Sequence, residues 1–277
     1  MLVKDYLNKN SHRIWKGTAK HRAEAFRRVE QFCSLNPQIE IKNVTAQKLY
    51  DFMDTLELRK GLSKASVNRY VAAVSRLLTH ARKSGLEHQY FEIETHREKN
   101  RIRYFTAEEL VKIDNYINSN RIESWFRDMC ILARFTGLRH GEIQGLIKGT
   151  NAYLERDQDG ILWVDLQDTK NGDDRSVPII EPRAVQAALN LQGSAYSEKV
   201  FYRLWDRMRY LIAKGDKQFV FHVFRHTAAS HMANELKLNS DIIGQWLGHR
   251  NPATTAKYIH IKPSSMRSIA ADLAKSA

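Results

Sequence analysis

A short segment in the second half of the sequence has the residue types and the spacing to bind a phosphate group. In TGLRHGEI, residues 136–143, Arg139 follows Gly137 and opens the next predicted helix. The free backbone N–H groups at a helix start also favour anions. Glu142 stands three residues later on the same helix face and can hold the guanidinium in place. An ordinary surface ion pair has this spacing too, so the segment alone leaves both interpretations open.

A second arginine and three histidines follow towards the C-terminus. His222 and Arg225 are three positions apart on a predicted helix, so their side chains can address the same chemical group. An imidazole can transfer a proton near neutral pH, and a guanidinium donates two hydrogen bonds to phosphate oxygens. His226, next to Arg225, is assigned a structural role. His249 follows Gly248 at the end of a predicted helix.

Two further side chains can take part in bond cleavage. Lys170 lies in the turn sequence DTKNGDDR, where a flexible loop can deliver an ammonium group to a leaving oxygen, although most turn lysines are simply solvated. Tyr258 lies nine residues after His249. Because a phenol has a pKa of about 10, it attacks poorly unless cations lower that pKa or a base takes the proton. Most tyrosines on helices are packing residues, so only the combination of residues points to a nucleophile.

The elements that must position these side chains are mostly helices. In the first hundred residues, Thr18, Thr45 and Ser63 each precede a segment with apolar residues at helical spacing. The clearest is residues 64–83, which ends before Gly85. Polar residues mostly off its apolar stripe form a basic face, which predicts DNA contacts by Asn68, Arg69, Arg76 and Arg82.

The second half combines helices with a short β region. Residues 92–104 are highly charged and predict a linker, after which Thr106 and Glu109 form a capping box. ILWVDL and RSVPII are typical of strands in a small antiparallel sheet, with Pro178 on an edge strand. Further helices are predicted over 182–192, 197–214, 222–236, 240–247 and 252–260. The predicted fold class is therefore mainly α with a small antiparallel β-sheet.

Composition favours a polyanionic partner. The 277 residues include 44 lysines and arginines against 31 aspartates and glutamates, a net charge of +13, of which residues 1–100 carry +8. The sequence contains no run of about 18 apolar residues, so no membrane span is predicted, and the N-terminus is too polar for a secretory signal. Two cysteines, Cys33 and Cys130, form neither a disulfide framework nor a zinc knuckle and fit a reducing cytosol.

Four segments together resemble the signature blocks of the tyrosine recombinase family, of the phage integrase type, in order and in spacing. They are TGLRHGEI, TKNGDDRSVPI, HVFRHTAASHMA and LGHRNPATTAKYIH. The resemblance covers residues 104–260, and residues 1–90 resemble the helical, SAM-like core-binding domain more loosely. It implies a core DNA-binding domain over 1–92, a linker over 93–104, an α+β catalytic domain over 105–262, and a C-terminal helix over 263–277 that contacts another protomer.

The resemblance also implies a mechanism. Tyr258 would attack a DNA phosphodiester and form a 3′-phosphotyrosyl link, which the 5′-hydroxyl of a partner strand then reverses. Arg139, Arg225 and His249 would stabilise the charge on the phosphate. Lys170 would protonate the leaving 5′-oxygen, with His222 as a proton acceptor or donor and Glu142 as an orienting residue. Neither a metal ion nor a cofactor is required.

The expected partner is double-stranded DNA, bound by a homotetramer on two sites, with a monomer or dimer when free. Accessory DNA-bending or directionality proteins are further candidate partners, and no membrane is involved. The expected location is the cytoplasm, in association with DNA, for a protein that a prokaryote or a phage encodes. Integration or excision of a mobile element is the expected role.

Alternative functions remain. They are a chromosome-dimer resolvase of the same size, a catalytically silent DNA-binding relative, a type IB topoisomerase, and a zinc hydrolase built on His222 and His226. The zinc site is disfavoured because no glutamate stands where such enzymes place their base and because Arg225 would repel the ion.

Overall fold

The computed structural model describes residues 1–98, 103–119, 122–167, 174–249 and 251–256. The chain divides into two compact units, Met1–Asn100 and Arg101–Ala277. Each unit has a hydrophobic core of its own. Across the described ranges, no helix combines the length and the apolar character needed to cross a membrane.

The first unit is helical where it is described. Its helices are α1 (Val3–Ile14), α2 (Ala19–Leu35), α3 (Ala46–Asp54) and α4 (Lys64–Lys83), with a π-helical turn over Thr55–Arg59. The predicted caps are confirmed, because the side chains of Thr18, Thr45 and Ser63 each accept a hydrogen bond from the backbone N–H three residues later. The predicted stripe of α4 is also confirmed, since Tyr70 packs partly buried against the core and the other stripe residues are buried in it, namely Val67, Val71, Val74, Leu77, Leu78 and Ala81.

Helix α1 was not among the individual helices predicted. It carries buried apolar residues at helical spacing, including Val3, Leu7 and Ile14, and packs against α2 and α4. However, its N-cap residue is Leu2, which has no side chain able to accept a backbone hydrogen bond. The helix therefore lacks the capping signal that marks the starts of α2, α3 and α4.

The second unit places helices around a three-stranded antiparallel sheet in its described part. The strands are β1 (Ala152–Arg156), β2 (Leu162–Leu166) and β3 (Arg175–Ile179), in the order β1-β2-β3. Pro178 lies on β3, where it pairs with Trp163 of β2, and β3 is an edge strand of this sheet, so the predicted edge position is confirmed. Strand β1 was not singled out because only its first residue, Ala152, is buried and no alternating pattern results.

The helices of this unit largely match their predicted ranges, and the last of these, 252–260, lies within the described residues only as far as residue 256. They are α5 (Ala107–Ile117), α6 (Ser124–Thr136), α7 (His140–Lys148), α8 (Pro182–Leu191), α9 (Glu198–Ala213), α10 (Val223–Asn234), α11 (Ser240–Leu247) and α12 (Pro252–Ala256). The capping box of Thr106 and Glu109 is confirmed at the start of α5. Helix α6 packs against α8 and α10, and its C-terminal end thereby comes close to α10 and α11.

Candidate active site

The candidate site is built where the ends of several helices meet. Gly137 ends α6 in the left-handed conformation, with φ +69°. A Cβ atom at this position would lie 2.9 Å from Leu247 Cδ2 and 3.3 Å from Ala228 Cβ. Gly248 ends α11 in the same conformation, with φ +65°. The turn after α6 therefore packs directly against α10 and the end of α11.

Arg225 lies at the centre of this junction. It is 1% exposed, and its guanidinium donates hydrogen bonds from Nη1 to the Gly137 carbonyl at 3.0 Å and from Nη2 to the Leu247 carbonyl. Carbonyl groups at helix C-termini carry partial negative charge. They offset part of the cost of burying the cation, and they fix the plane of its guanidinium.

Arg139 and Glu142 form the pair that their spacing predicts. Arg139 is the N-cap of α7, and its backbone N–H and its Nη1 donate to the two carboxylate oxygens of Glu142, each at 2.7 Å. Its Nη2 donates to the carbonyl of Gly248 at 3.0 Å. Because Glu142 is buried, this pair is held within the protein and is not an exposed surface contact.

A third arginine, Arg175, belongs to the same cluster, although the sequence predicts no role for it. It begins β3, and its Nη2 donates to Glu142 Oε2 at 2.9 Å while its Nε donates to the Trp246 carbonyl at 3.0 Å. The only available signal was an arginine at the head of a strand, in the block that also contains Lys170. Glu142 is 33 positions away in the sequence, so no local pattern could indicate this contact.

Glu142 carries the negative charge at the middle of these arginines. Burial acts to raise the pKa of its carboxyl group, but the hydrogen bond and charge of Arg175, together with the backbone N–H and charge of Arg139, have the larger combined effect. The pKa of Glu142 consequently lies below its usual range, and the group is ionised at neutral pH.

His222 and His249 lie close enough to the arginines for the positive charges to affect the pKa values of the two imidazoles. Loss of hydration lowers the pKa of His222 to about 4, with added repulsion from His226, Arg225 and Arg139. The ring of His226 stands edge-on to that of His222, with centroids 4.7 Å apart. Across the described ranges, no group of three or more histidine, cysteine, aspartate or glutamate side chains is arranged to hold a metal ion.

His249 is held by the helix that follows it. Its Nδ1 is 2.9 Å from the hydroxyl of the buried Thr255 in α12. Burial and the charges of nearby arginines lower the pKa of His249 to about 4, as for His222. Both imidazoles are therefore neutral at pH 7, able to accept a proton or to donate an N–H hydrogen bond.

The structure thus brings together Arg139, Glu142, His222, Arg225 and His249. A cavity of about 430 Å³ opens beside this cluster, lined in part by Arg175, His249 and Thr255. Guanidinium groups beside helix ends and neutral imidazoles form a site suited to a phosphate ester. Lys170, Tyr258 and the C-terminal segment 263–277 lie outside the described residues, so their roles stay predictions.

The residues predicted to contact DNA lie on α4, and several have partners within their own unit. The side-chain amide of Asn68 donates to the His96 carbonyl at 2.8 Å and accepts from the His96 N–H at 3.0 Å. Arg76 donates to the Ile14 carbonyl, Arg82 lies over the ring of Tyr90, and the exposed Arg69 donates to its own helix. Their contact with DNA stays a prediction.

Comparison with known proteins decides the family. The model of the phage integrase family matches residues 103–265, which include the whole arginine cluster. The chain belongs to the phage integrase family. A second model, of the phage integrase SAM-like domain, matches residues 1–98. This phage integrase family protein is a tyrosine site-specific recombinase, an enzyme of DNA recombination, and its predicted fold class is confirmed. No protein with a curated description matches the sequence.

Solved structures share the fold of this integrase family member at low sequence identity. An integrase of the Tn1549 transposon, in complex with transposon right end DNA, is 18% identical with a TM-score of 0.73, and the match covers 99% of this chain and 100% of that one. A lambda integrase dimer bound to a COC′ core site is 16% identical with a TM-score of 0.72, covering 95% and 97%. XerH recombinase bound to difH is 19% identical with a TM-score of 0.62, covering 89% and 76%.

Proposed function

We propose that this recombinase cuts and rejoins double-stranded DNA through a 3′-phosphotyrosyl link on Tyr258, in the integration or excision of a mobile element. The observation that carries the proposal is the convergence of Arg139, Arg225, His222 and His249 on one junction of helix ends. During attack on a phosphodiester, negative charge accumulates on the nonbridging oxygens. Fixed guanidinium groups are suited to stabilise that charge because they need no rearrangement when it forms.

The proton transfers follow from the charge states in the site. The Tyr258 oxygen forms a bond to phosphorus as the bond from phosphorus to the 5′-oxygen breaks. The neutral imidazole of His222 can take the phenol proton, and Lys170 supplies a proton to the leaving 5′-oxygen. Attack by the 5′-hydroxyl of a second strand reverses these steps and releases Tyr258, so the DNA is rejoined without hydrolysis.

The reaction is proposed to need no metal ion. The cations Arg139 and Arg225 are held at the junction by hydrogen bonds to Glu142 and to backbone carbonyls. They supply the positive charge that a divalent ion would otherwise bring to the phosphate. Cleavage is accordingly expected to proceed at an unchanged rate in EDTA, and restoration of a lost activity by magnesium or zinc would contradict this part of the proposal.

The net charge of the chain and the similar solved structures support a proposal on how the protein binds DNA and assembles. The net charge of +13 suits a polyanion, and the similar Tn1549 and lambda integrase structures are complexes with DNA. We propose a homotetramer on two DNA sites that forms from monomers or dimers, with residues 263–277 contacting a neighbouring protomer. Deleting residues 264–277 should leave single-site binding intact while reducing assembly and strand exchange.

The deciding experiment is covalent capture of DNA. Duplexes with a nick and a randomised core, together with the DNA that flanks the gene, are incubated with the protein, and linked strands are recovered from a denaturing gel. The wild-type protein should form an adduct, and Tyr258→Phe should bind DNA without forming one. Tyr202→Phe is the matched control, because Tyr202 is 52% exposed on α9 and no role is assigned to it.

The outcomes separate the alternative functions. An adduct that persists in Tyr258→Phe would place the nucleophile on another residue. Sequence-specific binding by the wild-type protein with no adduct on any duplex would favour the silent DNA-binding relative. Direct repeats and a tRNA gene beside the captured site would favour integration, whereas a single site near the terminus of replication would favour a chromosome-dimer resolvase.

A further inference from the structure

We propose that Arg175 is a positioning residue, which fixes Arg139 through Glu142 and fixes the end of α11 that leads to His249. The inference rests on the proposed function for its catalytic consequence. Its structural basis is independent, because one guanidinium bonds to both sides of the site. Arg175 donates from Nη2 to the Glu142 carboxylate at 2.9 Å and from Nε to the Trp246 carbonyl at 3.0 Å.

On one side, Arg175 holds the carboxylate that orients Arg139. Oxygen Oε2 of Glu142 accepts from the Arg139 backbone N–H and from Arg175, which leaves Oε1 for the Arg139 guanidinium. A carboxylate bonded at both oxygens has little freedom to rotate. Without Arg175, the buried charge of Glu142 would lose one of its partners, and Arg139 would lose a fixed support.

On the other side, Arg175 holds the last turn of α11. The carbonyl of Trp246 accepts from Arg175, and the indole N–H of the same residue donates to the Thr136 carbonyl at 2.9 Å. The end of α11 is therefore tied both to β3 and to α6. His249 follows three residues after Trp246, so the position of its imidazole depends on this turn.

The third guanidinium nitrogen of Arg175, Nη1, packs against the protein backbone. Nη1 is buried and has no hydrogen-bond partner among the residues that the structure describes. It packs against Gly248, where a Cβ atom would come within 2.7 Å of it. The guanidinium thus packs closely against the backbone of Gly248, which is possible only because glycine has no Cβ atom. This close packing restricts the movement of the guanidinium.

Burial separates the role of Arg175 from that of Arg139. The side chain of Arg175 is 9% exposed, against 21% for Arg139. With Nη1 shielded and its other donors bonded to protein oxygens, Arg175 is poorly placed to bind a phosphate itself. Its effect on catalysis is therefore transmitted through Arg139 and His249.

The test compares Arg175→Met, which keeps the apolar stem, with Arg183→Met as the matched control. Arg183 also pairs with a glutamate, Glu181 at 2.9 Å, but its own side chain is 55% exposed and lies over the ring of Phe135. Single-turnover cleavage is measured on the captured duplex, well below the unfolding temperature. Arg175→Met should cleave roughly 10- to 100-fold more slowly, the range expected for misplaced catalytic groups, with DNA affinity within about twofold of wild type. Arg183→Met should match wild type.

A second pair of variants distinguishes positioning from general destabilisation. In Glu142→Gln with Arg175→Met, the rate should be close to that of the slower single variant, because both changes break the same bridge. Rates that multiply would overturn the inference. If Arg175→Met does not fold, Arg175→Lys replaces it, because an ammonium keeps the charge but cannot hold both acceptors in a fixed fork. A wild-type rate for Arg175→Lys would also overturn the inference.

Hydrogen exchange supplies a readout that needs no DNA. Arg175→Met should increase exchange roughly tenfold in peptides covering residues 139–143 and 244–249, and Arg183→Met should not. Unchanged exchange in these peptides would contradict the positioning role. If exchange changes as expected but the wild-type protein forms no adduct, the proposed function fails while the structural role of Arg175 stands.

Discussion

Three histidines of the second unit lie in surroundings that disfavour the charged form of the imidazole. His140, His222 and His249 each have their pKa lowered to about 4, chiefly because burial disfavours the charged imidazole. For His222 and His249, neighbouring arginines add to the effect. Burial, with a smaller effect from the arginines that suit the site to a phosphate, thus keeps its proton-transfer groups neutral.

These pKa values predict how stability depends on pH. An unfolded histidine has a pKa of about 6.5, so between pH 6.5 and 4 the unfolded chain binds more protons than the folded one. The free energy of unfolding should therefore not be reduced by these histidines above pH 6.5, and it should fall as the pH is lowered towards 4. Thermal unfolding measured at intervals from pH 7.5 to 4.5 should show a decreasing midpoint.

Substitution of the two histidines of the site should show that they contribute to this pH dependence of the unfolding midpoint. A double variant with His222→Gln and His249→Gln should show a weaker decrease over the same interval, because fewer imidazoles are protonated on unfolding. His12→Gln, at an exposed position of α1, serves as the control and should follow the wild-type curve. An undiminished decrease in the double variant would show that other groups cause it.

Lys170 is expected to act as the general acid. Lys170→Ala should cleave ordinary DNA slowly but a duplex with a 5′-bridging phosphorothiolate efficiently, because a thiolate leaves without being protonated. Arg139→Ala provides the comparison. It should be slow on both substrates, by roughly 10²–10³-fold, since the charge on the phosphate is the same in each. Equal impairment of Lys170→Ala on the two substrates would assign Lys170 to binding or folding.

At the scale of elements, the site depends on how one helix ends against two others. Gly137 ends α6 and Gly149 ends α7, both with positive φ, at +69° and +61°. They differ in their surroundings. A Cβ atom at position 137 would approach Leu247 Cδ2 to 2.9 Å, whereas nothing lies within 4 Å of one at position 149.

This contrast gives a matched pair of substitutions. Gly149→Ala should destabilise the protein by about 1–2 kcal/mol, the cost of a left-handed residue with a side chain. Gly137→Ala should be more destabilising, because it adds a steric conflict with α11, and it should also slow cleavage by displacing the carbonyl that holds Arg225. Chemical denaturation and single-turnover cleavage measure the two effects. Equal losses in the two variants would show that the α6–α11 contact is readily relaxed.

At the scale of the whole molecule, the chain consists of two units that each carry excess positive charge. The first unit includes much of the predicted linker, because Phe91 and Ile93 pack against its core and Asn68 binds the backbone of His96. Residues 103 and 104 belong to the second unit, where Arg103 donates to Asp216 at 2.9 Å. A deletion that separates the units should therefore be made after residue 98.

The two-unit organisation predicts the salt dependence of DNA binding. The slope of log affinity against log salt is about −0.9 for each phosphate neutralised, so a steep slope is expected for the full chain. A fragment of residues 99–277, checked for folding by circular dichroism, should show a shallower slope because the first unit carries +8 of the net charge. An identical slope would show that the first unit does not bind the phosphate backbone.

The sequence by itself determined what depends on near neighbours in the chain. The caps at Thr18, Thr45, Ser63 and Thr106 could be predicted because a capping side chain bonds to a backbone group only three residues away. The pairing of Arg139 with Glu142 could be predicted for the same reason. The edge position of Pro178 followed from its missing N–H group, a property of the residue itself.

Only the tertiary structure decided the contacts that join distant segments. Arg175 and Glu142 are 33 positions apart, Asn68 and His96 are 28 apart, and Arg225 and Gly137 are 88 apart. The sequence predicts a basic DNA-binding face that includes Asn68, and it predicts no role for Arg175. The pattern of polar and apolar residues indicates which side chains face away from the core, but it does not indicate which residues they contact. Those partners are set by which helix ends pack together, and that depends on the shapes of buried side chains throughout each unit.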